Sequence, residues 1–205
     1  DYGDYIDWPS PRDKADNLEL LKAWQKQIGW RLLNNETVDI VRGNDTIKLI
    51  GVENWGEPPF RQYGHLTDAY PISKDSANNL MDGRFKILMT HNPEHWRRES
   101  SHVSNIDLTL SGHTHAMQMV IGSGEFRWSP AVFKYEDWGG MYSGRNNNGD
   151  NVSLYVNIGA GEVGMPFRIG GAVPEVTIIK LVTGYTPGRK SYSSLSRFPK
   201  DFIMR

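Results

Sequence analysis

Two short apolar strands that each stop at histidine constrain this chain more than any other feature. Phe85-Lys86-Ile87-Leu88-Met89 runs into Thr90-His91-Asn92-Pro93, and Leu108-Thr109-Leu110 runs into Ser111-Gly112-His113-Thr114-His115. Glu94 to Glu99, between them, reads as a helical turn or two, and a strand, helix, strand order favours neighbouring parallel strands. Both strands then end on one edge of one sheet, where open α/β folds hold their ligands. If the backbone stays extended past Gly112, His113 and His115 point the same way, and His91 arrives on a strand about 4.8 Å away. Three imidazoles suit zinc, iron, manganese or nickel. With no cysteine in the chain, thiolate ligands are excluded. A His-x-His pair alone more often marks surface or core than metal, and it is the pair of strand ends in order that shifts the weight. His65 sits in a polar loop and His95 and His102 flank a helical segment without a partner at useful spacing, so all three are read as structural.

The rest of the chain fits one main α/β domain. Its 205 residues are enough for one sizeable core, and 23 basic against 24 acidic side chains give no general attraction to nucleic acid or anionic membrane. Leu18, Leu21, Trp24 and Ile28 recur at helical spacing up to Gly29, after a turn-rich opening with Pro9 and Pro11. Val38 to Val52 reads as a hairpin turning at Gly43-Asn44-Asp45. Asn54 to Tyr70 reads as a loop, and Ser73 caps a short helix ending near Gly83. The Gly-, Asn- and Trp-rich stretch from about Gly122 to Asp150 reads as a long surface excursion. It is followed by strands at Val152 to Ile158 and Val176 to Val182. Residues 184–205 form a basic tail, expected to be mobile. No apolar run reaches the roughly 20 residues of a membrane span.

The two strand-to-histidine junctions, Gln118 after them, and the late segment Leu154 to Glu175 with Pro166-Phe167-Arg168-Ile169 and Pro174-Glu175 resemble the calcineurin-like metallophosphoesterases. The likeness is to a bacterial branch whose members are often membrane-anchored. It covers Asp1 to about Leu181. It implies the C-terminal half of an αββα sandwich of mixed β-sheets over 1–183, with His91 and His113 on one divalent metal and His115 on the other. Zinc, manganese or iron are implied, two in a complete domain that shares a bridging carboxylate. The branch commonly has two glycines where this chain has Ala116-Met117, a departure expected to narrow the substrate mouth.

The same family carries upstream Asp-x-His, Gly-Asp-x-x-Asp and Gly-Asn-His-Asp motifs. Gly3-Asp4-Tyr5-Ile6-Asp7 fits the second as a string but lacks the apolar strand before it. Asp1, followed by Tyr2-Gly3, aligns better as the last residue of the third, where it orients an assisting histidine. On this reading the chain holds the histidine side of the centre, takes at most one metal weakly and turns over little by itself. The parent would be a metal-dependent phosphoesterase acting on a phosphorylated small-molecule or lipid-linked substrate, with membrane association of the parent and self-association of this chain as expected partnerships. The near-neutral charge argues against nucleic acid. The competing reading is a non-catalytic binding module on the same half-fold. It would use the aromatic stretch Phe126 to Tyr142 as its surface, unless those rings pack down as a cap.

Overall fold

The computed structural model describes residues 7–70, 84–103, 105–124 and 126–181, which divide at His91 into two compact units. Asp1, the Gly3 to Asp7 string as far as Ile6, the helix expected after Ser73, and the basic tail 184–205 lie outside the described residues.

In the first unit, helix α1 spans Pro11–Gln27. Its start is earlier than the apolar spacing implied, because the local signals sit upstream. The Ser10 side chain accepts from Asp13 N–H at 3.2 Å, Pro11 occupies the first turn, and Asp13 places an acid near the positive end of the helix dipole. The helix stops at Ile28, and Gly29 takes φ 85°, a left-handed value that glycine adopts without steric cost. Strands β1 (Glu36–Arg42) and β2 (Asp45–Gly51) form the expected antiparallel hairpin around Gly43-Asn44. The short helix α2 covers Leu66–Ala69. Strand β3 (Phe85–Met89) then pairs with β2 in parallel, with Ile50 and Leu88 fully buried. His91 follows two residues after β3 and is exposed.

In the second unit, the chain after Pro93 makes a wide helical turn at Trp96–Ser100 and a last helical turn at Ser101–Val103. Strand β4 is Leu108–Ser111, β5 Met119–Val120, β6 Gly140–Arg145, β7 Asn151–Val156 and β8 Ile169–Gly170. β7 lies parallel to β4 and antiparallel to β6, while β5 pairs with β8. The mixed pairing and interleaved helical segments make the chain α/β, as the sequence implied. Val152, Leu154 and Val156 of β7 pack with Trp96 in one buried cluster.

Two expectations fail here. The stretch to Asp150 is not a surface excursion throughout, since β6 is a strand and Ser129, Ala131 and Trp138 are buried. Gly140, expected to break the chain with Gly139, instead begins β6, and within that strand a Cβ at Gly144 would stand 3.2 Å from the Trp96 ring, so glycine there permits a close approach. Residues 176–181 form no strand. Val176 is 86% exposed, and this segment is held instead through Thr177, whose Oγ1 meets Tyr155 Oη and Asn157 Nδ2, each at 2.9 Å.

A histidine turn and its cleft

The end of β4 folds back instead of running on. Gly112 C=O accepts from Thr114 N–H at 2.8 Å, His113 takes φ 71°, and Thr114 is right-handed at φ −69°. His115, Ala116, Met117 and Gln118 then all take left-handed values, φ 49°, 51°, 45° and 56°. The extended backbone expected to aim His113 and His115 together is therefore absent. A left-handed turn performs that task instead, setting both on the wall of one open cleft of about 280 Å³ with Thr114, Met117, Gln118, Val163 and Met165.

Four successive L-residues in this region are costly, and side chains hold them there. Thr114 Oγ1 donates to Trp138 C=O at 2.6 Å and accepts from Ala116 N–H at 3.1 Å. Ser129 Oγ, fully buried, donates to Ala116 C=O at 2.6 Å. The Ala116 methyl is sealed in a cluster with Val120, Ala131, Trp138, Ile158 and Ala172. Gln118, 2% exposed, donates through Nε2 to the carbonyls of Met165 and Phe167 at 2.9 and 3.1 Å and accepts from Val163 N–H. It thereby ties the far wall of the cleft to the histidine turn.

Each imidazole has a partner that sequence reasoning did not find. His113 Nε2 lies 2.7 Å from Tyr135 Oη, and the two rings meet edge to face, 5.1 Å between centroids. His115 Nδ1 lies 3.3 Å from Arg168 Nη2. That guanidinium also donates to the carbonyls of Ile158 at 3.1 Å, Gly161, and Ala172 at 3.4 Å. Space for the pair exists because residue 159 is glycine. A Cβ there would stand 3.0 Å from His115 Cε1 and 3.7 Å from Arg168 Nη2. Arg168 reaches this place because β8 begins at the next residue and pairs with β5, directly after the turn. These contacts span 22 and 53 residues, so no spacing rule points to them.

The loop carrying Arg168 is anchored by a carboxylate. Glu175 accepts from Ile158 N–H at 3.0 Å and from Tyr155 Oη, and its own N–H donates to Gly159 C=O at 3.0 Å. Burial, reinforced by that carboxylate, pushes the Tyr155 hydroxyl well above the ordinary phenol range.

The fit to a metal differs between the two imidazoles. The Tyr135 hydroxyl can donate or accept at His113 Nε2, and accepting from Nε2–H is the arrangement by which a metal-binding histidine fixes its other nitrogen. Arg168 carries no acceptor, so its contact engages the Nδ1 lone pair of His115, and a metal at that nitrogen requires the guanidinium to move. Among the described residues no group of three or more His, Asp, Glu or Cys stands together so as to hold a metal ion. His95, expected to lack a partner at useful spacing, has one at helical spacing: fully buried, its Nε2 lies 3.0 Å from Glu99 Oε2. His65 and His102 are exposed.

The aromatic stretch divides. Trp138 is buried, and Tyr135 packs partly against the same cluster, as a cap would. Phe126 and Phe133 remain 88% and 85% exposed.

No family model matches this chain, and no solved structure does. It is similar to an uncharacterized metallophosphoesterase of Campylobacter jejuni, at 28% identity over 87% of the chain and 49% of that protein. An uncharacterized metallophosphoesterase of Helicobacter pylori is 27% identical over 85% of the chain and 41% of its own length. The uncharacterized protein YpbG of Bacillus subtilis is 27% identical over 76% of the chain and 50% of its own length. The chain thus spans about half the length of the curated relatives it matches, and two of those names support kinship with the metallophosphoesterases.

Proposed function

We propose that this chain is part of a metal-dependent phosphoesterase that hydrolyses phosphate ester or pyrophosphate bonds, with His113 and His115 as metal ligands. His91 is kept as a ligand by resemblance alone. The observation supporting the reading is the turn after β4, which sets two imidazoles on one cleft wall and is held there at a cost in backbone strain. Divalent ions, zinc, manganese or iron, supply Lewis-acid stabilisation of phosphoryl charge when bound. The chain's own residues do the positioning. Tyr135 meets His113, Arg168 must leave His115 Nδ1 before that nitrogen can ligate, and Gln118 fixes the opposite wall. Met117, Val163 and Met165 give that cleft an apolar side, which favours a phosphate carrying an apolar or lipid-linked group over a nucleic acid. Membrane association of the whole protein goes with such a substrate. No described helix is long and apolar enough to cross a membrane.

The test is calorimetric titration of the purified protein with zinc and with manganese, beside hydrolysis of a bis-aryl phosphodiester. His113→Asn and His115→Asn should each weaken metal binding by about tenfold or more and lower hydrolysis with it. A protein that takes up no metal at millimolar concentration overturns the assignment, whereas low hydrolysis is the expectation for this chain by itself. That outcome would favour the second reading, a non-catalytic interaction module, for which the exposed Phe126 and Phe133 offer the contact surface.

A further inference from the structure

The aromatic stretch contributes more than a cap. Ser129 Oγ accepts from Ala131 N–H at 3.1 Å and so starts the short helical turn Pro130–Phe133. The same hydroxyl donates to Ala116 C=O inside the histidine turn. Tyr135 N–H then donates to Ala131 C=O at 2.7 Å, which fixes the tyrosine backbone to the helical turn bolted onto the histidine loop. From that mount its hydroxyl reaches His113 Nε2 at 2.7 Å, while its ring stands at 83° to the imidazole. Lys134 Nζ lies 5.9 Å from the tyrosine ring, and the ring is half-buried. One fully buried serine thus bonds both the helical turn that carries Tyr135 and the histidine turn at Ala116.

The geometry points to Tyr135 as a positioning residue for His113: its hydroxyl accepts a hydrogen bond from Nε2–H and keeps the imidazole lone pair on Nδ1, the nitrogen that would ligate a metal. This rests on the metal-ligand reading of His113. An imidazole has one lone pair when neutral, so the partner on one nitrogen decides which nitrogen can ligate. A tyrosine hydroxyl can donate or accept at this distance, and accepting from Nε2–H is the arrangement that leaves the neutral imidazole its lone pair on Nδ1. The edge-to-face ring contact adds orientation, since rotating the imidazole would break both contacts at once.

The experiment compares wild type with Tyr135→Phe, which retains the ring, its packing and the edge-to-face contact while removing the oxygen. Long-range proton-nitrogen correlation spectra of the metal-free protein at pH 8, above the ordinary imidazole value of about 6.5, report the His113 tautomer. Wild type should show Nε2 protonated and Nδ1 bare, and Tyr135→Phe a mixture of tautomers. Zinc titration should show a loss of about tenfold to a hundredfold in affinity for Tyr135→Phe, with His113→Asn as the reference for complete loss of the ligand. Nδ1 protonated in wild type, a tautomer unchanged in Tyr135→Phe, or zinc affinity within about twofold of wild type while His113→Asn abolishes binding, overturns the role of Tyr135 and leaves the phosphoesterase reading standing. If wild type binds no zinc, the metal reading fails, and the tautomer spectra still decide whether Tyr135 sets the imidazole. A purely structural role for the tyrosine would lower thermal stability without moving the tautomer signal.

Discussion

Met117 offers the sharpest check on the left-handed turn, because two small substitutions there should rank in the reverse of their usual order. Met117 is 40% exposed and takes φ 45°, ψ 31°. Met117→Ala and Met117→Gly both delete the side chain beyond Cβ, so the packing lost on the cleft wall largely cancels between them. What remains is the conformational term. An L-residue in this region costs roughly 1–2 kcal/mol, a cost glycine escapes. Glycine in turn loses about 0.4–1 kcal/mol through its greater freedom in the unfolded chain. The difference leaves Met117→Gly more stable than Met117→Ala by about 1 kcal/mol, worth roughly 2–4 °C in Tm for a domain this size. In an ordinary helix the order is the opposite, alanine ahead by about 1 kcal/mol. Paired urea titrations with matched m-values would measure the gap. Equal stability, or alanine ahead, would show that residue 117 is not left-handed in solution and would refute the strain argument for the whole turn. Ala116→Gly provides the complementary case: relief of the same strain is offset by burial of a methyl worth about 0.8 kcal/mol, so its net change should be close to zero.

Gly159→Ala should destabilise by about 1–2 kcal/mol through its own φ of 76° and should also displace His115, seen as a changed imidazole signal and weaker zinc binding. Gln118→Leu removes the acceptor and donors that hold Val163, Met165 and Phe167, at a cost of about 2 kcal/mol, and limited proteolysis should then cut within 160–168 faster than in wild type. Asp137 gives a pH signature. Burial raises its carboxyl above the ordinary 3.8, outweighing Arg97, whose Nη2 lies 2.9 Å away. With the folded value above the unfolded one, the fold binds this proton more tightly. Stability is therefore highest below pH 3.8 for this group and falls as pH rises through the interval between the two values. Urea midpoints should show that fall in wild type and its absence in Asp137→Asn, and parallel profiles would refute it.

What could be read in the sequence was what depends on neighbours along the chain. The hairpin of β1 and β2 follows from alternation around Gly43-Asn44, and β3 and β4 from apolar runs ending at turn residues. The start of α1 was equally local, and Ser10-Pro11 with Asp13 was its signal. β6 was hidden because glycine has two meanings. At Gly144 it admits the Trp96 ring, a reason that exists only once the fold has formed. Val176, Ile178 and Leu181 carried the pattern of a strand, yet pattern supplies no partner ladder, and the segment stays exposed.

The turn itself joins both cases. Two glycines would hold His115 and Gln118 in place with less backbone strain, yet this chain has alanine and methionine in left-handed positions. The Ala116 Cβ fills a cluster that includes Trp138 and Ile158, so part of its strain is offset locally. Met117 has no such compensation in the core, since its side chain stands on the cleft wall beside the histidines. Strain at an exposed side chain on a cleft wall, without compensating packing, points to a role in that cleft rather than in stability. On the proposed phosphoesterase reading, Met117→Gly in the whole protein, besides outlasting Met117→Ala on heating, should widen acceptance of phosphodiesters with bulky leaving groups. Unchanged KM values across a graded series of such substrates would show instead that the methionine has no part in substrate choice.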